Sequence, residues 1–211
     1  MTEDILLVDK PTGMTSFDVI RVLRKKIGVW KMGHAGTLDP LATGLLLIGV
    51  GDATKTLTGL VGLPKIYEAE ILLGTRTDTG DIDGAVLETV SVPVFTTDEI
   101  KKALDSMVGE LDLPVSLYSA IKKGGRPLYK YARSGENVEV PMRKMVVRSV
   151  RFVAYENNVV RAVFDVSSGT YVRSLAEELA RRLGTIGTIQ NLRRLSVGEY
   201  KVENAKKPED F

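Results

Sequence analysis

The 211-residue chain contains no cysteine and a single histidine. Without cysteine there is no disulfide framework, thiolate zinc site, iron–sulfur cluster or cysteine nucleophile. The lone histidine, His34, excludes a multi-histidine metal site and argues against a serine–histidine triad. Long apolar runs are missing too. Stretches such as Leu45–Ile48 fall far short of the roughly 20 residues that cross a bilayer. The opening MTEDILLVDK is acidic and lacks the apolar core of a secretory signal. No repeat, low-complexity tract or Pro/Gly/Ser-rich linker interrupts the chain. These absences lead to the expectation of one continuous, soluble, cytoplasmic domain without membrane contact.

What is present is ordinary in bulk and uneven in charge. Hydrophobic residues make up 44% and charged residues 27%, as in globular proteins, and a chain of this size buries roughly 70% of its unfolded surface. The net charge of +2 hides an asymmetry: residues 1–100 carry 9 basic and 14 acidic side chains, residues 101–211 carry 20 and 13. The segment 122–151 alone holds 9 basic residues against Glu136 and Glu139. Such a segment is either a polyanion footprint or a solvated face.

Periodicity predicts the main elements. Ile5–Val8 reads as a strand before the turn-like Lys10-Pro11-Thr12-Gly13. Thr15 with Asp18 forms a capping box for a helix that places Phe17, Ile20, Leu23 and Ile27 on one face and ends at Gly28. From Tyr67 to Leu73 the odd positions are apolar and Glu68 and Glu70 share the other face, the pattern of a half-buried strand. Thr96 and Glu99 cap an amphipathic helix bearing Ile100, Ala103, Leu104, Met107 and Val108. Residues 145–154 and 159–167 alternate with period two around Glu156-Asn157-Asn158, a hairpin. Residues 171–183 are helical, with Val172, Leu175, Leu179 and Leu183 inward and Gly184 at the cap position. Residues 203–211 read as a loose tail. Strands and helices do not alternate regularly, which predicts an α+β fold with a mixed or antiparallel sheet.

Chemistry-bearing residues concentrate in a few places. Gly33–Gly44 reads as a loop carrying Asp39 before a proline, which holds its backbone extended. Such a loop is either a simple turn or the seat of a catalytic carboxylate. Asp78-Thr79-Gly80 matches the D-T-G of aspartic proteases. That mechanism needs two facing aspartates, and with one copy in the chain it would require a homodimer; otherwise the segment is an acidic surface turn. Arg173 follows Ser168-Gly169-Thr170-Tyr171 at a helix start, where the dipole disfavours a cation. It is either solvated or meets a carboxylate or phosphate.

Taken in order, these segments resemble the TruB family of tRNA pseudouridine synthases over nearly the whole chain. The resemblance rests on Asp9-Lys10-Pro11-x-Gly13-x-Thr15-Ser16, GHAGTLDPLATG at 33–44, GDATK at 51–55, YEAE at 67–70, GTRTDTGDIDG at 74–84, YSAIKKGGRPLYKYARSG at 118–135, GTYVRSLAEELARRLG at 169–184 and LRRLSVGEY at 192–200. It implies a pseudouridine-synthase-like mixed, mainly antiparallel sheet flanked by helices. Asp39 then matches the catalytic aspartate, Tyr67 the tyrosine that stacks on the target base, and Arg173 the arginine that pairs with the carboxylate. Lys10 and His34 match family positions near the RNA or the site, Tyr171 joins the residues expected at the RNA, and Lys122, Lys123, Arg126, Lys130 and Arg133 those expected at phosphates.

The implied reaction isomerises uridine 55 in the T loop of tRNA, with base flipping, no cofactor and no metal. The implied partner is the T arm, and the expected state is a monomer. Two departures stand out. Leu113, Val115 and Ser116 replace a glutamine and a Pro-Pro pair that the family usually carries before Tyr-Ser-Ala. Bacterial members usually continue into an RNA-binding PUA domain; here the expectation is a catalytic domain over 1–202, a tail at 203–211 and no PUA domain.

Overall fold

The structure, a computed structural model, describes residues 4–211; the first three residues of the expected catalytic domain lie outside the described residues. In chain order the elements are β1 (Ile5–Lys10), α1 (Ser16–Ile27), β2 (Met32–His34), β3 (Thr43–Val50), α2 (Leu57–Val61), β4 (Lys65–Leu73), β5 (Thr75–Thr77), β6 (Val86–Thr89) and α3 (Thr97–Asp105). They continue with β7 (Gly109–Pro114), β8 (Lys122–Lys123), β9 (Arg126–Pro127), α4 (Leu128–Ser134), β10 (Met142–Glu156), β11 (Val159–Val166), α5 (Val172–Arg182), β12 (Gly187–Val197) and β13 (Tyr200–Lys201). The main sheet runs β1-β3-β12-β4-β11-β10-β7, with β2 on β3 and β13 on β12. Pairing is antiparallel for β1–β3, β2–β3, β10–β7 and β12–β13, and parallel for β3–β12. This is the expected α+β architecture with a mixed, mainly antiparallel sheet.

The chain gathers into two compact units. The first is the described part of Met1–Glu68 with Val163–Ser168 and Asn191–Phe211; the second is Ala69–Ala162 with Gly169–Gln190.

In the first unit, β3 is buried along almost its whole length because both faces are covered, so it reads as a continuous apolar run. Leu46, Ile48 and Val50 point to one side and pack with Val8, Val19, Ile20, Leu23 and Met32. Leu45 and Leu47 point to the other and pack with Ala35, Val197 and Val202. Helix α1 starts at Thr15, whose side chain accepts from Asp18 N while the Asp18 carboxylate accepts from Thr15 N, and it stops at Gly28 in the left-handed conformation. Its buried face is Ser16, Val19, Ile20 and Leu23; full burial of each of the last three is worth about 1.5–3 kcal/mol. Phe17 lies elsewhere than expected. It is exposed and lies under the guanidinium groups of Arg21 and Arg24, at 4.9 and 5.5 Å, since position 17 falls off the stripe defined by 16, 19, 20 and 23.

The expected loose tail is also corrected. Asp9 N donates to Lys206 O and Lys206 N to Leu7 O, at 2.8 and 3.1 Å. Pro208 is buried and Phe211 packs against the α1 core. Lys206 thus bridges the outer edge of β1 at Val8, satisfying backbone groups that would otherwise be open.

In the second unit, α3 carries the expected capping box at Thr96 and Glu99 and buries Ile100 and Leu104. Val108 is exposed because the helix ends at Asp105. Asn157 and Asn158 both adopt positive φ, 51° and 63°, as the tight two-residue turn between β10 and β11 requires.

Candidate active site

Asp39 lies in the first unit, on a loop that is shorter than the glycine pattern suggests. Gly33 and His34 belong to β2, opposite Gly49 and Ile48, and Thr43 and Gly44 begin β3. Between them, residues 35–42 are fastened on both sides of Asp39. Ser16 Oγ accepts from Leu38 N at 2.9 Å and donates to Leu38 O at 3.1 Å. Gly13 N donates to Pro40 O at 2.9 Å and Thr12 Oγ1 to Leu41 O at 3.2 Å. Lys10 Nζ donates to Met14 O, Pro11 O and Pro40 O at 2.6, 2.9 and 3.3 Å. The motif Lys10–Ser16 is therefore a clamp on the Asp39 loop.

A second clamp comes from β12. Arg194 is buried, 1% exposed. Its Nε donates to Leu45 O at 2.7 Å, Nη2 to Gly36 O at 3.1 Å, and Nη1 lies 3.5 Å from the Tyr67 hydroxyl. It reaches this position because Arg194 and Lys10 are both in register with Gly44, one on each side of β3. At φ 98° Gly44 has no room for a side chain, since a Cβ would collide with the Arg194 backbone. The neighbouring Arg193 points away and makes a two-pronged ion pair with Asp9, at 2.8 and 3.0 Å. Thus LRR supplies one arginine to the site and one to a sheet-edge pair.

The site is rich in positive charge held out of water. Lys65 is buried and donates to Leu63 O and Val61 O at 2.6 and 2.9 Å. Burial, followed by the Arg194 charge, lowers its pKa to about 8. Burial also lowers Lys10 to about 8; the Asp39 carboxylate opposes the shift and Arg194 adds to it. His34, half-buried in the same field, is held below its ordinary value by burial and then by Arg194, so its imidazole is neutral at neutral pH. Tyr67 is 7% exposed on β4. Asp39 is half-buried between anchored residues, and its charge acts on Lys10.

Of the two places expected for Lys10, the RNA or the site, the structure puts it at the site: it is fully buried with its ammonium given to three carbonyls and holds the loop. Arg194 and Lys65 escape the sequence reading. The acceptors of Arg194 lie up to 158 residues away, and the only local signal is the doubled arginine of LRR.

In the second unit, Arg173 sits in the first turn of α5, 6% exposed. It is not solvated. Nη1 donates to Thr79 O and Ser116 Oγ at 2.7 and 2.8 Å, and Nη2 to Tyr118 O at 3.1 Å. Tyr171 is the half-buried N-cap residue of α5, with no side-chain capping bond. Asp78-Thr79-Gly80 is not an open acidic turn. Asp78 accepts from Ala85 N at 2.8 Å and from the Tyr118 hydroxyl at 2.9 Å, and Asp81 is buried and accepts from Thr79 Oγ1 at 2.6 Å. A carboxylate committed in this way is built for structure, not for the shared proton of a protease dyad. Among the described residues no group of three His, Asp or Glu could hold a metal ion.

The basic segment forms a β8–β9 hairpin, turning at Gly124 and Gly125 with φ 57° and 80°, followed by α4. Lys123 pairs with Glu139 at 3.1 Å and Arg126 with Glu136 at 2.8 Å. Arg126 also lies 4.5 Å over the Tyr131 ring, and Arg133 5.6 Å over that of Tyr129. Lys122, Lys130 and Arg133 are exposed.

Comparison with known proteins places these features in a class. The model for the N-terminal domain of TruB family pseudouridylate synthases matches residues 24–172. The chain belongs to this family. It is 43% identical over 205 residues to the tRNA pseudouridine synthase B of Aromatoleum aromaticum, covering 97% of this chain and 66% of the relative. The corresponding protein of Psychrobacter cryohalolentis is 41% identical, with 94% and 57% covered, and that of Endomicrobium trichonymphae 38% identical, with 99% and 90% covered. The chain therefore spans about three-fifths to nine-tenths of these relatives. Among solved structures, it matches a chain of a Cbf5-Nop10-Gar1 complex with TM-score 0.77 and 26% identity, covering 98% of this chain and 52% of that one. Among the described residues no helix is long and apolar enough to cross a membrane.

Proposed function

We propose that the protein isomerises a uridine of tRNA, uridine 55 in the T loop, to pseudouridine. The observation that carries this reading is the Asp39 loop: its backbone is anchored on both sides of Asp39, and Arg194 bonds Gly36 of the same loop with its Nη1 3.5 Å from the Tyr67 hydroxyl. In the reaction the uracil N1–C1′ bond breaks, the base turns and a C5–C1′ bond forms; C5 then loses its proton and N1 gains one, so the product is an isomer of the substrate. Asp39, ionised, serves as nucleophile or stabilises the electron-poor sugar carbon. Tyr67 serves as the stacking platform for the flipped base. Arg173 serves the same reaction by correspondence with the family. The relatives named above as tRNA pseudouridine synthases support the substrate. Lys122, Lys130 and Arg133 are the proposed phosphate contacts, and the protein acts as a monomer in the cytoplasm.

The test is incubation with unmodified tRNA followed by carbodiimide-stop mapping. The expected result is one new stop at position 55; no stop anywhere would leave an RNA-binding module without catalysis as the better reading.

A further inference from the structure

The start of α5 grips one short segment of the second unit three times. Ser174 Oγ donates to Pro114 O at 2.8 Å, Arg173 Nη1 to Ser116 Oγ at 2.8 Å, and Arg173 Nη2 to Tyr118 O at 3.1 Å. The segment itself is fixed from below by Leu113 and Val115, 7% and 3% exposed. Ser116 Oγ also accepts from Tyr118 N at 3.2 Å, so both of its lone pairs are used and the hydroxyl has one preferred position. Of the acceptors that meet Arg173, Thr79 O and Tyr118 O are backbone groups. Ser116 supplies a side-chain acceptor.

We propose that Ser116 is a positioning residue in this chain: its hydroxyl fixes the rotation of the Arg173 guanidinium and so the direction of that group's planar fork during isomerisation. The inference rests on the proposed role of Arg173. The Ser116 hydroxyl on Nη1 adds a side-chain acceptor to the carbonyls of Thr79 and Tyr118 and narrows the rotation of the guanidinium, and geometry at a reacting site is held to fractions of an ångström for full rate.

The experiment measures single-turnover rate at saturating unmodified tRNA, together with tRNA Kd, for the wild type, Ser116→Ala, Ser116→Thr, Arg173→Lys and the Ser116→Ala/Arg173→Lys double variant. Ser116→Ala should lower the rate about tenfold with Kd unchanged within about twofold, and Ser116→Thr, which keeps the hydroxyl, should restore it to within about threefold. In the Arg173→Lys background, Ser116→Ala should add less than about twofold, because the guanidinium it orients is gone. A wild-type rate for Ser116→Ala beside an impaired Arg173→Lys overturns the inference and leaves the proposed function standing. A wild-type rate for Arg173→Lys overturns both the role of Arg173 and this inference. Loss of rate in Ser116→Ala that Ser116→Thr does not restore, or that adds in full to Arg173→Lys, also overturns it, since that is the mark of a general packing defect.

Discussion

Two regions of this molecule carry positive charge and use it in opposite ways. Around the Asp39 loop, Lys10, Lys65 and Arg194 are buried, and each gives its protons to backbone carbonyls. In the hairpin and helix over 122–134, Lys122, Lys130 and Arg133 stand in solvent, and Glu139 and Glu136 just beyond take up Lys123 and Arg126. Net charge counts the two sets alike. Burial separates them: a cation stripped of water must be satisfied by fixed acceptors and so becomes a structural fastener, whereas an exposed cation stays available to a polyanion and is screened by salt. The comparison predicts that changes in the first region alter chemistry and stability with little salt dependence, and changes in the second alter RNA affinity in proportion to salt.

The largest expected effect is at the loop's centre. Asp39→Asn is close to isosteric and cannot act as a nucleophile, so single-turnover isomerisation should fall more than about 10³-fold, or ~4 kcal/mol of barrier, with tRNA affinity nearly intact. A rate within about tenfold of wild type would falsify the assignment. Arg194→Met comes next. It keeps the apolar stem and orphans the carbonyls of Gly36 and Leu45, each left unsatisfied at a cost of about 1–3 kcal/mol. Thermal unfolding should move down accordingly, and the rate should drop more than about tenfold as the loop and Tyr67 lose their common tie. A stable, fully active variant would show that the clamp is redundant.

Lys10→Met sharpens the contrast through pH. Burial lowers the Lys10 pKa from 10.5 to about 8. Between those values the unfolded chain binds more protons than the folded one, so wild-type stability gains from this group as pH rises, and the contribution is lost as pH falls through about 8. Denaturant titrations from about pH 7 to about pH 10 should therefore show the wild type drawing further ahead of Lys10→Met at the alkaline end. A constant difference would mean that Lys10 is not held out of water. The smallest effect belongs to the exposed set. Replacing Lys122, Lys130 and Arg133 together by Ala should leave the melting temperature and the rate at saturating tRNA near wild type. It should flatten the slope of log affinity against log salt by roughly 0.7–0.9 for every phosphate no longer neutralised. An unchanged slope would place the RNA on another surface.

Local physics alone determined much of this protein. The capping boxes at Thr15 and Thr96, the alternation along β4, the Asn157-Asn158 turn and the inward face of α5 are all readable, because each depends on residues within a turn or a strand of one another. The loop position of Asp39 and the strand position of Tyr67 are readable for the same reason, and the ordered set of motifs points to the family. Only the tertiary structure decided which cations are fasteners. Nothing local distinguishes Lys10 from Lys122; burial against Met14 O and Pro40 O does. Nor could the sequence show that Arg194 reaches Gly36 across 158 positions, that Ser116 receives Arg173 across 57, or that Lys206 closes the edge of β1 from the far end of the chain. Hydrogen bonds at such separations leave no periodic trace in the chain and form only once the sheet has set which backbone groups lie side by side.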